Sequence, residues 1–190
     1  MSILRVLFLL IAICAVRLQH SYAQVEESGV QFPETQDLGD TKLLLNGTGT
    51  RLATWFKVHV YAAGLYVAGK STDATKILES ETPKYLAMQF VRSVGAEKLR
   101  DAWEIGLKNN SEDFNRVKDS LKQLNAAMKD VEEGDRMEVA FYPGDMVVLK
   151  MSGGSSVTIK DKYFPRDLLA VWLGATPPNE ELKDGLLGRK

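Results

Sequence analysis

Cysteine is nearly missing from this 190-residue chain and histidine is scarce: Cys14 stands alone, and the two histidines are His20 and His59. One thiol cannot build a disulfide framework or a zinc–thiolate cluster. Two separated histidines exclude a histidine-rich metal site. Neither charge is in excess, with 24 basic and 25 acidic residues and a net charge of −1. A nucleic-acid surface would need a clustered positive excess, so none is expected. Long apolar runs are also lacking: the longest, residues 6–16, has 11 residues and is too short to span a bilayer.

That run nevertheless carries a message. Arg5 precedes it, and Ser21-Tyr22-Ala23 offers a small-x-small cleavage site before Gln24. The pattern is that of an export signal, residues 1–23, and places the mature chain in the periplasm or outside the cell. Bulky Ile13 before Cys14 argues against a lipid-attachment site. Cleavage removes the cysteine and His20, leaving His59 as the one histidine through which a Ser-His-Asp arrangement could run. Arg5 and Arg17 leave too, moving the net charge from −1 to −3. No stable membrane insertion is expected afterwards. The remainder is enough for one domain and too little for two.

Residues 24–40 are polar and acidic and read as a flexible lead-in to a single domain spanning 41–190. Residues 43–49, 58–67 and 85–92 are rich in apolar and β-branched side chains and read as strands. Their short connections favour antiparallel pairing. Ala96, Leu99, Ala102, Trp103, Gly106 and Leu107 fall at helical spacing, and so do Phe114, Val117, Leu121, Leu124 and Met128. The second helix is expected to begin at Ser111. Strands over 137–142, 146–151 and 156–160 follow, the last pair joined by a Gly153-Gly154 hairpin turn. A last helix begins near Pro165 and ends at Gly174, and after Pro177-Pro178 a short polar helix or coil finishes the chain. Three strands, two helices, three strands and a helix predict an α+β fold, an antiparallel sheet with helices layered on one face. The space between the layers is the natural ligand site.

The most informative stretch is Gly47-Thr48-Gly49-Thr50-Arg51 and the strand after it, Val58-His59-Val60-Tyr61-Ala62-Ala63-Gly64-Leu65-Tyr66-Val67. An always-charged guanidinium among apolar neighbours needs an anionic or hydrogen-bonding partner, and its planar fork suits a carboxylate. A surface arginine paired with a nearby acid is the competing reading. Strand alternation puts His59, Tyr61, Ala63, Leu65 and Val67 on one face. Small Ala63 and the two glycines would leave room for a ligand beside Arg51 and Tyr61. Phe90, Trp103 and Leu107 serve the core, the lining of a tail pocket, or both. The glycines precede a strand and match no phosphate-loop pattern.

These residues, together with Ala96-Glu97-Lys98-Leu99 and Leu168-Leu169-Ala170-Val171-Trp172-Leu173-Gly174, resemble the chalcone isomerase-like family, most of all its bacterial, secreted branch. The resemblance covers roughly residues 40–175 and implies an open-faced β-sandwich. It also implies a choice between isomerases that close a chalcone to a flavanone and non-catalytic fatty-acid binders. Arg51 matches an arginine common to both. Tyr61 stands where the enzymes carry a threonine and the binders a tyrosine. The tyrosine and asparagine that the enzymes use at the first long helix correspond to Gly95 and Ala102, and a hydroxyl of the last helix to Val171. Those departures weigh against flavonoid cyclisation.

The reading is an exported, non-catalytic protein for a fatty acid or similar amphipathic carboxylate, with Arg51, Tyr61, Ala63, Phe90 and Trp103 as ligand-binding residues. No metal site and no cofactor is expected, although haem held through His59 or a tyrosine stays open. Two alternatives remain. One is an isomerase with Arg51 stabilising an oxyanion and Tyr61 donating a proton. The other is a partner-binding module with a filled core, for which no cavity should lie beside Arg51.

Overall fold

The computed structural model describes residues 24–53 and 56–189; the expected export signal lies outside them. In chain order the elements are β1 (Gln24–Glu27), β2 (Val30–Pro33), β3 (Thr35–Leu38), β4 (Thr41–Ala53), β5 (Val58–Val67), α1 (Ala74–Leu78) and β6 (Lys84–Phe90). Then follow α2 (Ala96–Asn110), α3 (Phe114–Ala127), β7 (Arg136–Tyr142), β8 (Met146–Met151), β9 (Ser156–Lys160), α4 (Phe164–Leu173) and α5 (Glu180–Leu186). Strands β3 to β9 form one antiparallel sheet in which every strand pairs with its sequence neighbours. The α+β expectation, with helices over one face of an antiparallel sheet, holds. No helix among the described residues is long and apolar enough to cross a membrane.

Alternation along the strands divides the apolar residues between two faces. Leu65, Leu86, Val139 and Leu149 point to the helical side, where Leu107, Val117, Leu124 and Trp172 meet them. On the other side Leu43, Leu45, Ala62 and Tyr66 form a second, smaller core with Val30 and Phe32. Those last two come from the segment expected to be a flexible lead-in, and that expectation is corrected here. Residues 24–33 form a hairpin that turns through Ser28 and Gly29, both at positive φ, and it lays Val30 and Phe32 on the sheet. Alternation in Val30-Gln31-Phe32 buries the two apolar residues and leaves Gln31 outside. Gly64 lets the hairpin approach, since a Cβ there would sit 2.6 Å from the Phe32 ring.

Two glycines of β4 serve a similar purpose on the helical face. A Cβ on Gly47 would overlap the Gly185 carbonyl oxygen and lie 2.8 Å from Gly188 N; one on Gly49 would lie 2.7 Å from Leu182 O. The room they create holds α5, not a ligand, contrary to the expectation from sequence. Leu182, Leu186 and Leu187 are fully buried in that contact. Buried Asn46 fastens it, donating through Nδ2 to Leu186 O at 2.8 Å and to Ser71 O at 3.0 Å while its Oδ1 accepts from Ser71 N. At the other end of the helix Asn179 behaves like a strand residue: its Oδ1 accepts from Leu52 N at 3.0 Å and its Nδ2 donates to Thr50 O at 3.2 Å.

Candidate functional site: a cavity between sheet and helices

The β4–β5 ladder sets the site. Arg51 and Tyr61 are direct antiparallel partners, and Tyr61 pairs in turn with Phe90 on β6, so the three side chains share the helical face. Beyond Arg51 the register slips: Leu52 pairs with His59, leaving Val60 as an extra residue. This bulge breaks the alternation. Val60 therefore faces the helical side with Tyr61, while His59 turns to the opposite side, where Ser28 Oγ lies 3.2 Å from its Nδ1. The expectation that His59 and Tyr61 share a face is corrected accordingly, and His59 is removed from the site.

A cavity of about 750 Å³ opens between this corner of the sheet, α2 and the end of α4. It follows α2 from its N-cap Gly95 through Leu99, Ala102 and Gly106 to Asn109, which spans about 21 Å at 1.5 Å per residue. Val60, Phe90, Met88, Met137 and Trp103 supply apolar wall, and Arg51 and Tyr61 supply donors. Exposed Arg92, Lys98 and Asp101 lie at its rim. The helices are held there by Gly106, where a Cβ would meet Val171 Cγ1 at 2.6 Å, so α2 and α4 touch closely. Gly95, Ala102 and Val171, the positions at which the resemblance implies polar groups in the isomerases, all line the cavity, and none of the three carries a side-chain hydroxyl or amide.

Of the residues singled out from sequence, the cavity brings together Arg51, Tyr61, Phe90 and Trp103. Ala63 is not among its walls. It is wholly buried between Gly49 and Met88 of the neighbouring strands, under the helical layer, and this position in the set is corrected. Leu107 is likewise fully buried core. A smaller depression of about 270 Å³ at the start of α4 is lined by charged groups, Arg116, Arg166, Glu79 and Asp167 among them, and does not suit an oily ligand.

Arg51 is partly exposed and makes no ion pair with any described residue; its Nη1 donates to the carbonyl of Leu52. The rest of its donor fork is uncommitted among the described residues. Tyr61 packs edge-on to Phe90, with ring centroids 5.7 Å apart. Its hydroxyl accepts from Trp172 Nε1 at 3.0 Å. Burial pushes the Tyr61 phenol above its ordinary value, opposed by the Trp172 hydrogen bond and by the charge of Arg51, so it remains a neutral donor at physiological pH. Trp172 in turn stands edge-on to Trp103 at 5.5 Å, and Trp103 Nε1 reaches Met128 Sδ at 3.2 Å. Sequence reasoning placed Trp172 on the last helix but missed its part in the site. The available signal was general: a buried indole N–H requires an acceptor.

No curated protein matches the sequence. The crystal structure of an Arabidopsis thaliana fatty-acid binding protein superimposes with a TM-score of 0.70 over 88% of this chain and 97% of that one, at 17% identity, which establishes a shared fold. The sequence model of the chalcone isomerase-like proteins matches residues 24–188, from the first hairpin to the end of α5. The chain belongs to the chalcone isomerase-like family.

Proposed function

We propose that this protein is an exported, non-catalytic carrier or receptor for a fatty acid or a similar amphipathic carboxylate. The carrying observation is the pairing of Arg51 and Tyr61 on one wall of a largely apolar cavity whose other charged residues, Arg92, Lys98 and Asp101, are exposed. Arg51 has no carboxylate partner among the described residues, and Tyr61 directs a neutral donor to the same corner. A carboxylate placed there receives charge-assisted hydrogen bonds, about twice as strong as neutral ones. The acyl chain would run along the α2 stripe, where each square ångström of apolar surface removed from water contributes about 25 cal/mol. Likeness to a protein described as fatty-acid binding supports this reading at the level of fold. The isomerase reading is weakened at three positions, since Gly95, Ala102 and Val171 bring no polar side chain to the wall where the resemblance implies one.

The test is native mass spectrometry of the purified protein with saturated fatty acids of increasing length, followed by titration. Affinity should rise with chain length until the cavity is filled. Arg51→Met should weaken decanoate binding by about 10- to 100-fold, the value of hydrogen bonds to a charged group. Retention of full affinity by Arg51→Met, or no uptake of any fatty acid by the parent protein, defeats the proposal.

A further inference from the structure

We infer that Trp172 is a positioning residue that turns Tyr61 into a donor-only hydroxyl, and that the pair thereby selects a carboxylate over the alcohol of the same chain. This rests on the reading of the cavity as an acyl-chain site and goes beyond it by naming what decides the head group.

An indole N–H can only donate, so the 3.0 Å contact between Trp172 Nε1 and Tyr61 Oη has one direction. The phenol oxygen is the acceptor, and what remains of Tyr61 is its O–H. None of the described residues receives that proton. Trp172 cannot easily release the oxygen: it is 1% exposed, held edge-on by Trp103 and carried on α4 where Gly106 of α2 presses against Val171. Moving the indole away would strand a buried donor. Tyr61 also cannot shed its proton readily, because burial holds the phenol neutral.

Arg51 beside it offers donors only. The head-group corner therefore presents a guanidinium and a phenol O–H, with no acceptor from either side chain. A carboxylate has acceptor oxygens for both. An alcohol satisfies one donor but brings a hydroxyl hydrogen for which neither side chain has an acceptor, and a protonated amine is repelled by Arg51. Without the indole N–H, the Tyr61 oxygen is free to accept, and an alcohol becomes tolerable.

The experiment compares decanoic acid with 1-decanol, titrated at pH 8 against the parent protein, Trp172→Phe, Tyr61→Phe and the double variant. The parent is expected to favour the acid by tenfold or more. Trp172→Phe keeps an aromatic ring on α4 and should shrink that preference about tenfold. Tyr61→Phe should shrink it to a similar degree, and adding Trp172→Phe to it should change the preference no further, as for two residues acting through one bond. A merely structural tryptophan would weaken both ligands alike and leave their ratio intact. An unchanged ratio in Trp172→Phe, with the parent binding decanoate, overturns the role of Trp172 alone. If Trp172→Phe does not fold, Tyr61→Phe decides: an undiminished preference overturns the inference. A parent protein that binds neither compound overturns the inference and the acyl-chain reading together.

Discussion

Replacing Gly47 by alanine should loosen α5 from the sheet, and the size of the effect follows from what a single methyl group would strike. The new Cβ would overlap the Gly185 carbonyl oxygen and stand 2.8 Å from Gly188 N and 3.1 Å from Gly188 Cα. All three atoms are backbone, so no side-chain rotation relieves the clash; the helix must shift as a unit. Leu182, Leu186 and Leu187 are wholly buried beneath it. Fully burying a leucine contributes about 1.5–3 kcal/mol, so complete detachment would forfeit roughly 4.5–9 kcal/mol. A partial shift should cost about 3–5 kcal/mol, at the severe end for one substitution. For a domain of this size that lowers Tm by about 6–20 °C. The assay is urea denaturation with limited proteolysis of the C-terminal segment, using Gly69→Ala as the control. Gly69 has nothing within 4 Å of the corresponding Cβ position and should change stability by less than about 0.5 kcal/mol. Because Asn179 ties the start of α5 to β4 next to Arg51, ligand affinity should fall along with stability. Gly47→Ala matching Gly69→Ala in urea midpoint and proteolytic resistance would refute the reasoning.

Three further outcomes can be checked. Phe32→Ala should cost about 3–5 kcal/mol in denaturant titration, because the ring is 3% exposed and caps the second core; a flexible lead-in would show almost no change. Ala102→Phe should project a ring into the cavity and weaken decanoate binding about tenfold or more while Tm stays nearly constant; undiminished binding by a folded variant would place the ligand elsewhere. Burial raises the carboxyl of Asp167 above its ordinary value, opposed by the hydrogen bond and charge of Arg166. An unfolded Asp titrates near about 3.9, so the folded protein holds this proton to higher pH. The resulting stability is fully present below the unfolded value and is lost as pH rises through the folded one. Asp167→Asn should remove this fall, and urea midpoints that decline identically with pH in both proteins would contradict it.

Local pattern carried the sheet and the main helices. The strand runs at 58–67 and 146–151 coincide with β5 and β8 because their alternating or continuous apolar character needs no distant information. Where a local signal was ambiguous the result moved: Ser111 ends α2, and Asp113 caps α3 by accepting from Asn115 N at 3.0 Å. The hairpin of residues 24–33 was illegible because its polar composition masks two apolar residues whose value depends on a sheet face that α-helices do not cover. Short α1 was missed for a similar reason, with Ile77 as its one buried residue.

By itself the amino-acid order determined the α+β layering, the family, and the presence of an arginine and a tyrosine on adjacent strands, since periodicity and residue chemistry are local properties. Only the tertiary structure decided which way those groups face. The Val60 bulge sent His59 to the far side, α5 occupied the space beside Gly47 and Gly49, and α4 delivered Trp172 to Tyr61 across 111 residues. Each of these depends on backbone register or on helix contacts between segments distant in sequence, and such contacts exist only once the chain has closed on itself.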